Sequence, residues 1–354
     1  MDRLTALIQD KNNPTVVGLD PRPELLPSQL IEQARQRAAG SMAQMGLDPK
    51  DPQQTQGEQA QAVWADHLAR AYLRFNLSIL EGVGDLVPAV KPQIAMYEAL
   101  GPWGIRAYTG TCRAAADRGL YVIGDVKRGD IGSTAQAYAA HLDGLPLPFN
   151  PGRAVVDGPA PTGGRFPWYE DALTINVYLG SDGVEPFMEA AGHIQGDLFA
   201  LVRTSNPSGS QIQELGLDVS SGGGTIYQRL GDLVESWGQS SIGQSGYSRL
   251  GAVVGATHPK DGALLRRAMP HTFFLVPGYG AQGGSAKDVA PMFDRSGGGA
   301  AVNSSRGIIA AWRKDPDYSP QLSVQAALGM VTRDARQAAQ AMKDDLNQAI
   351  KEAR

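Results

Sequence analysis

The sequence predicts an α/β fold: a closed (β/α)8 TIM barrel in one domain over residues 1–354, with insertions near 21–57, 143–169 and 204–224 and extra terminal helices. Three observations carry this. Eight short apolar runs recur along the chain, and parallel strands buried on both faces read as continuous apolar runs. Most of the runs are separated by segments with apolar residues at helical spacing. Polar residues gather at one end of each run, and barrels of this type build their sites at the C-terminal ends of the strands. A doubly wound open sheet is the alternative, but eight strands is a high count for it and no Gly-x-Gly-x-x-Gly opens the first helix.

Taken in order, residues 1–13 form a short helix (Leu4, Leu7, Ile8) ended by Asn12-Asn13-Pro14. Thr15 to Asp20 is a buried strand tipped by an acid and stopped by Pro21 and Pro23. Residues 24–57 are polar and irregular, with a helical piece near 28–45. Val63, Trp64, Leu68, Ala71, Tyr72, Phe75 and Ile79 give residues 58–80 a helical apolar face. The second strand, Leu86 to Lys91, is tipped by a lysine; residues 93–118 are helical with a Gly101-Pro102 interruption. The third strand runs over 120–127 and a helix over 132–142. Residues 143–169 are rich in Pro and Gly and read as an inserted loop. Strands follow at 172–177, 197–203, 251–255, 272–276 and 300–302, with helices at 225–238 and near 260–268. An amphipathic helix over 322–350 closes the chain.

Composition narrows the function classes. The apolar fraction of 42% suffices for a large core, and a net charge of −4 without a basic block argues against a nucleic-acid partner. One cysteine, Cys112, excludes an intrachain disulfide and fits a reducing cytoplasm. No signal-peptide pattern opens the chain, and no apolar run approaches the ~18 residues of a membrane span. Five histidines without a His/Cys cluster argue against a zinc site.

The strand tips read Asp20, Lys91, Asp125 with Lys127, Asn176, Thr204-Ser205, Thr257-His258, Pro277-Gly278 and Asn303-Ser304. In a barrel these line one mouth. The third strand ends in Asp125-Val-Lys127-Arg128-Gly-Asp130, and alternation puts Asp125 and Lys127 on one face. Two carboxylates and an ammonium packed this closely are costly to bury and persist where charge serves chemistry. The same residues also fit a solvated loop with weak surface ion pairs. Asn176 and Tyr178 are placed to line the pocket, and His258 reads as a packed side chain near the mouth. Two late segments have the composition of an anion site: the Gly-rich Pro277–Ser285 stretch and Asn303-Ser-Ser-Arg306-Gly307, in the loops after strands seven and eight, where barrels often hold phosphate. Gln282 offers an amide, and Arg306 can grip two phosphate oxygens.

Asp125-x-Lys127-x-x-Asp130 followed by Ile131-Gly-x-Thr134 resembles the signature of orotidine 5′-phosphate decarboxylases. Gly18-Leu-Asp20, Lys91-Pro-Gln, Thr204-Ser205-Asn-Pro, Pro277-Gly-x-Gly-x-Gln282-Gly-Gly and Asn303-x-Ser-Arg306-Gly extend the likeness along most of the chain, toward the longer bacterial branch of the family. The resemblance implies a homodimeric barrel that converts orotidine 5′-monophosphate to uridine 5′-monophosphate and CO₂ without metal or organic cofactor. It implies Lys127 as proton donor to C6 of the pyrimidine, Asp125 against the substrate carboxylate, and Lys91 between Asp125 and the ribose. Asp130, Ile131 and Thr134 would reach into the neighbouring subunit's site, where Asp130 would complete the catalytic charged array. Asp20 would bind ribose hydroxyls, Ser205 the pyrimidine edge, and Gln282, Gly283 and Arg306 the phosphate, with the loops at 204–224 and 277–285 as lids. The nearest alternative is a metal-dependent sugar-phosphate lyase or synthase of the hexulose-phosphate synthase type. That chemistry needs a second acid beside Asp125, where the second strand offers Lys91. A non-catalytic nucleotide-binding barrel has little need for the charged array.

Overall fold

The computed structural model describes residues 1–144, 166–221, 223–280 and 282–354. Its eight strands are β1 (Thr15–Leu19), β2 (Ala89–Pro92), β3 (Tyr121–Arg128), β4 (Ala172–Ile175), β5 (Asp197–Arg203), β6 (Leu250–Val254), β7 (Phe274–Pro277) and β8 (Ala300–Ser304). All neighbours pair in parallel, and β8 closes on β1. The strand tips from Asp20 after β1 to Asn303 in β8 thus belong to one closed ring.

Side-chain alternation divides the core into two parts. Val16, Ala89, Tyr121, Ile123, Ala172, Phe199, Val253, Phe273, Leu275 and Ala301 form an interior cluster that Met1 and Leu4 join. Their neighbours Val17, Val90, Val122, Leu173, Ala200, Val254, Val276 and Val302 belong to the cluster shared with the surrounding helices. Period-two geometry demands this separation: one parity packs the barrel and the other packs its coat. The helix Asp2–Lys11 precedes β1, and Arg3 donates to the carbonyls of Gly119 and Leu120 just before β3, which sets this helix across the N-terminal ends of the strands. The C-terminal ends are left open for chemistry. The long helices Glu58–Val83 and Val324–Glu352 pack against each other on the outside. Gly82 permits the close approach: a Cβ there would lie 2.2 Å from the Thr332 carbonyl oxygen.

Several boundaries differ from the sequence expectations. β2 begins at Ala89 rather than Leu86, because Pro88 has no N–H to give a ladder and serves only as acceptor for Tyr121 N. A helix at Glu185–Ile194, not anticipated from sequence, joins β4 to β5 and buries Phe187, Ala190, Ala191 and Ile194, spaced three, four and seven apart. The segment expected as a plain loop at 204–224 carries a short helix, Ser210–Gln213, and an antiparallel bridge between Gly216 and Thr225. The centre of the expected 143–169 insertion lies outside the described residues.

Candidate active site

The inward parity of each strand ends in a residue that faces one cavity. Continuing Ala89, Ile123, Ala172, Phe199, Phe273 and Ala301 by two positions gives Lys91, Asp125, Thr174, Leu201, Leu275 and Asn303, and all six line a cavity of about 480 Å³ at the strands' C-terminal ends. Asp20, Lys127, Ser205, Gln282 and Arg306 also line it, whereas Gly283, Asn176 and Tyr178, expected from the same chain, do not. A larger groove of about 980 Å³ lies outside the barrel between the helix Ser28–Gln44 and Trp312, and no strand end reaches it.

Asp125 is the centre of the charge arrangement. Its side chain is 7% exposed and sits between two ammonium groups. Lys91 Nζ donates to Oδ2 at 2.6 Å, Lys127 Nζ donates to Oδ1, and Thr174 Oγ1 donates to Oδ1 at 3.0 Å. Burial on its own raises the Asp125 carboxyl pKa; the Lys91 and Lys127 charges outweigh it and hold the group well below the usual carboxylate range. Burial likewise works to discharge Lys91, and Asp125 and then Asp20 outweigh it, so the Lys91 ammonium is held above its ordinary value. Asp125 and Lys91 therefore both stay charged at neutral pH although they are buried. Lys91 is buried, whereas the Lys127 side chain is 47% exposed and free to meet a ligand.

Alternation alone does not put Lys127 beside Asp125. The β3–β4 register shifts between Gly124 and Arg128, and Lys127 has a left-handed backbone, φ 46°. This conformation is uncommon for a residue with a Cβ, and a bulge of this kind re-aims a side chain next to a site. Thr174 holds it: its hydroxyl accepts from Lys127 N at 3.0 Å while donating to Asp125. Thr174 was missed by the sequence reading. The available signal was its being the single polar residue in the apolar run Ala172–Ile175.

The other predicted residues fall into two groups. On the β7 and β8 side, Gln282 Oε1 accepts from Ser205 Oγ at 2.9 Å across the mouth. The Gly-rich loop folds on itself through Gly280 N to Gly284 O and Gly283 N to Gly280 O, and Gly283 takes φ 99°. Tyr279 Oη donates to Asp345 Oδ2 at 2.6 Å, which ties this loop to the terminal helix. Arg306 opens the turn after β8 and faces the cavity from the rim. By contrast, Asp130, Ile131 and Thr134 do not line the cavity of their own chain; Ile131 is 53% exposed and Thr134 is exposed, while Asp130 Oδ1 accepts from Ile131 N at 2.8 Å. Asn176 and Tyr178, expected at the pocket, point away: β4 ends at Ile175, Asn176 accepts from Tyr178 N, and Tyr178 is 83% exposed. His258 lies outside the cavity against Arg203.

The arrangement can bind an anion at the rim and present an ammonium beside a fixed carboxylate at depth. It offers little to a divalent ion, since Asp125 is already paired with two lysines. Among the described residues one acidic and histidine group has metal-like spacing, Glu214, His258 and Asp261, and it lies outside this cavity around the Arg203 guanidinium.

Comparison with known proteins adds the following. A family model described as "Orotidine 5'-phosphate decarboxylase / HUMPS family" matches residues 41–317. The orotidine 5′-phosphate decarboxylase of Rhodopirellula baltica is 41% identical over 314 residues, which cover 88% of this chain and 89% of the relative. That of Clostridium acetobutylicum is 39% identical over 246 residues, covering 69% and 77%. Among solved structures, the OMP decarboxylase of Leishmania donovani covers 98% of each chain at a TM-score of 0.62; at 22% identity this is a likeness of fold.

Proposed function

Because this chain belongs to the orotidine 5′-phosphate decarboxylase / HUMPS family, we infer that it converts orotidine 5′-monophosphate to uridine 5′-monophosphate and CO₂, the last step of de novo pyrimidine biosynthesis. The observation that carries this reading is Asp125 pinned between Lys91 and Lys127 at the closed end of a cavity whose rim holds Gln282 and Arg306. Breaking the C6–carboxylate bond leaves an electron pair in an sp² orbital of C6, with no π system to receive it. The Lys127 ammonium stabilises that charge as it forms and then gives C6 a proton; the amine recovers a proton from solvent. Asp125 aims Lys127 by their hydrogen bond, and its own charge faces the substrate carboxylate until CO₂ departs. Lys91 links Asp125 to the ribose, Asp20 accepts from ribose hydroxyls, and Ser205 reads the pyrimidine edge. Arg306, Gln282 and Gly283 hold the phosphate, and binding energy gained there is spent on placing C6 against Lys127.

Asp130, Ile131 and Thr134 complete the site of a second copy in a homodimer. Their position supports this: they adjoin the charged strand end and lie outside their own cavity, with Ile131 and Thr134 exposed and Asp130 half-buried. A cytoplasmic location fits the buried Cys112 and the finding that no helix among the described residues is long and apolar enough to cross a membrane.

Loss of orotidylate absorbance, followed with purified protein in excess chelator, tests the assignment. Turnover at the same rate with and without chelator is expected. No loss of orotidylate, with or without chelator, would overturn it and favour the metal-dependent sugar-phosphate alternative.

A further inference from the structure

Arg203 closes β5 and directly precedes Thr204-Ser205 at the cavity. By alternation from Phe199 and Leu201 it belongs inside the barrel. A register shift sets Leu201 opposite Val253 and Arg203 opposite Val254, and this bulge turns Arg203 outward. There its side chain is 1% exposed. Every guanidinium nitrogen is engaged: Nε donates to Asp261 Oδ2 at 2.9 Å, Nη1 to Gln213 Oε1 at 3.3 Å, and Nη2 to Glu214 and, at 3.1 Å, to His258 Nδ1. Gln213 in turn accepts from Thr204 N at 3.0 Å and donates to Thr204 Oγ1 at 2.7 Å.

We propose that Arg203 is a positioning residue for the reaction: it clamps the lobe that follows β5 onto the barrel and so presents Ser205 to Gln282 across the mouth. This rests on the reading that Ser205 and Gln282 touch substrate. Asp261 and the Tyr227 ring, 5.3 Å from the guanidinium carbon, already give the buried cation partners from the barrel's helices. The contacts to Gln213 and Glu214 reach instead into the surface lobe, whose chain leads back to Thr204 and Ser205. A planar fork with five donors can hold these elements in one fixed relation, and a lysine ammonium cannot. Without the clamp, substrate would have to order the Ser205 segment on binding, at a cost in conformational entropy. The metal-like spacing of Glu214, His258 and Asp261 has the same origin, since the cation they surround is the guanidinium.

A double-mutant cycle tests the clamp. Glu214→Ala and Arg203→Lys are made singly and each combined with Ser205→Ala, with steady-state kinetics on orotidine 5′-monophosphate and thermal unfolding of every variant. Each clamp variant is expected to raise KM about tenfold, the scale of one misplaced hydrogen-bonding group, with kcat within about twofold. In the Ser205→Ala background the same change should add less than about twofold, because residues acting through one contact are not additive. Additive losses, or activity falling only in step with the folded fraction, would overturn the clamp while leaving the decarboxylase reading intact. A wild-type protein without turnover would overturn that reading itself.

Discussion

Three side chains, Lys91, Asp125 and Lys127, form the charged array at the base of the cavity, and both lysines donate hydrogen bonds to Asp125. Replacing Lys127 by Ala removes the proposed proton donor without creating a large void, since the side chain is half exposed. Turnover should fall by at least about 10²–10⁴, the usual worth of a positioned acid, while uridine 5′-monophosphate still binds in a calorimetric titration. Undiminished turnover would exclude the role given to Lys127. Asp125 has a lowered pKa in the folded state, so its contribution to stability is present above the unfolded carboxyl value of ~4 and is lost as pH falls through the folded value. Lys91 has a raised pKa, so its contribution is present below the unfolded lysine value of ~10.4 and is lost as pH rises through the folded value. Between these limits the Asp125–Lys91 pair is fully charged. Asp125→Asn leaves Lys91 buried without its main counter-charge and should cost about 3–5 kcal/mol near neutral pH. Denaturant unfolding over a pH series should give a wild-type-minus-variant difference that is flat in the middle and shrinks on the acid side.

At the scale of single elements, the strand that bears the site depends on what packs behind it. Gly124 precedes Asp125, and a Cβ there would lie 2.2 Å from Glu170 Oε1. Glu170 cannot retreat: it is fully buried, accepts from Tyr108 Oη and pairs with His141 Nδ1 at 2.9 Å. Gly124→Ala therefore forces either β3 or this buried cluster to move. A loss of about 1–3 kcal/mol, the usual range for overpacking, is expected in chemical denaturation. Because Asp125 is the next residue, kcat/KM should fall as well; a variant as stable and active as the wild type would mean that β3 is free to shift. The same strand shows how a bulge makes a site. Plain pleating sends residues 125 and 127 inward at the strand's own spacing, whereas the left-handed turn at Lys127 brings its ammonium back onto Asp125.

For the whole molecule, the proposed homodimer makes the site a joint product of two chains. Lys127→Ala and Asp130→Ala should each be nearly inactive alone. Mixed and allowed to exchange subunits, they should regain up to about one quarter of wild-type turnover, because half of random dimers are mixed and each mixed dimer has one intact site. No recovery on mixing, with exchange confirmed by native mass spectrometry, would place Asp130 outside the neighbouring site. Ile131, half exposed on the same segment, gives a second handle: Ile131→Glu should shift the protein toward monomer in sedimentation velocity and lower turnover with it.

The sequence by itself determined the barrel and most of the wall of its site. Buried parallel strands must be apolar on both faces, so eight of them stand out without knowledge of their partners, and a polar residue at the end of such a run has only the open mouth to face. That logic located Asp20, Lys91, Asp125 and Ser205. It failed where local pattern and side-chain direction part company. Asn176 follows the fourth run as Asp20 follows the first, yet β4 has ended by then and Thr174, one residue inside the strand, takes the place at Asp125. Arg203 and Lys127 both sit at bulges, which reverse or redirect the alternation that a reader extrapolates. Bulges are set by pairing between strands distant in the chain, and so are the approach of Ser205 to Gln282 across 77 residues and the enclosure of Asp125 by two ammoniums. Only the closed ring decided those, because each depends on distances between segments that the linear order does not contain.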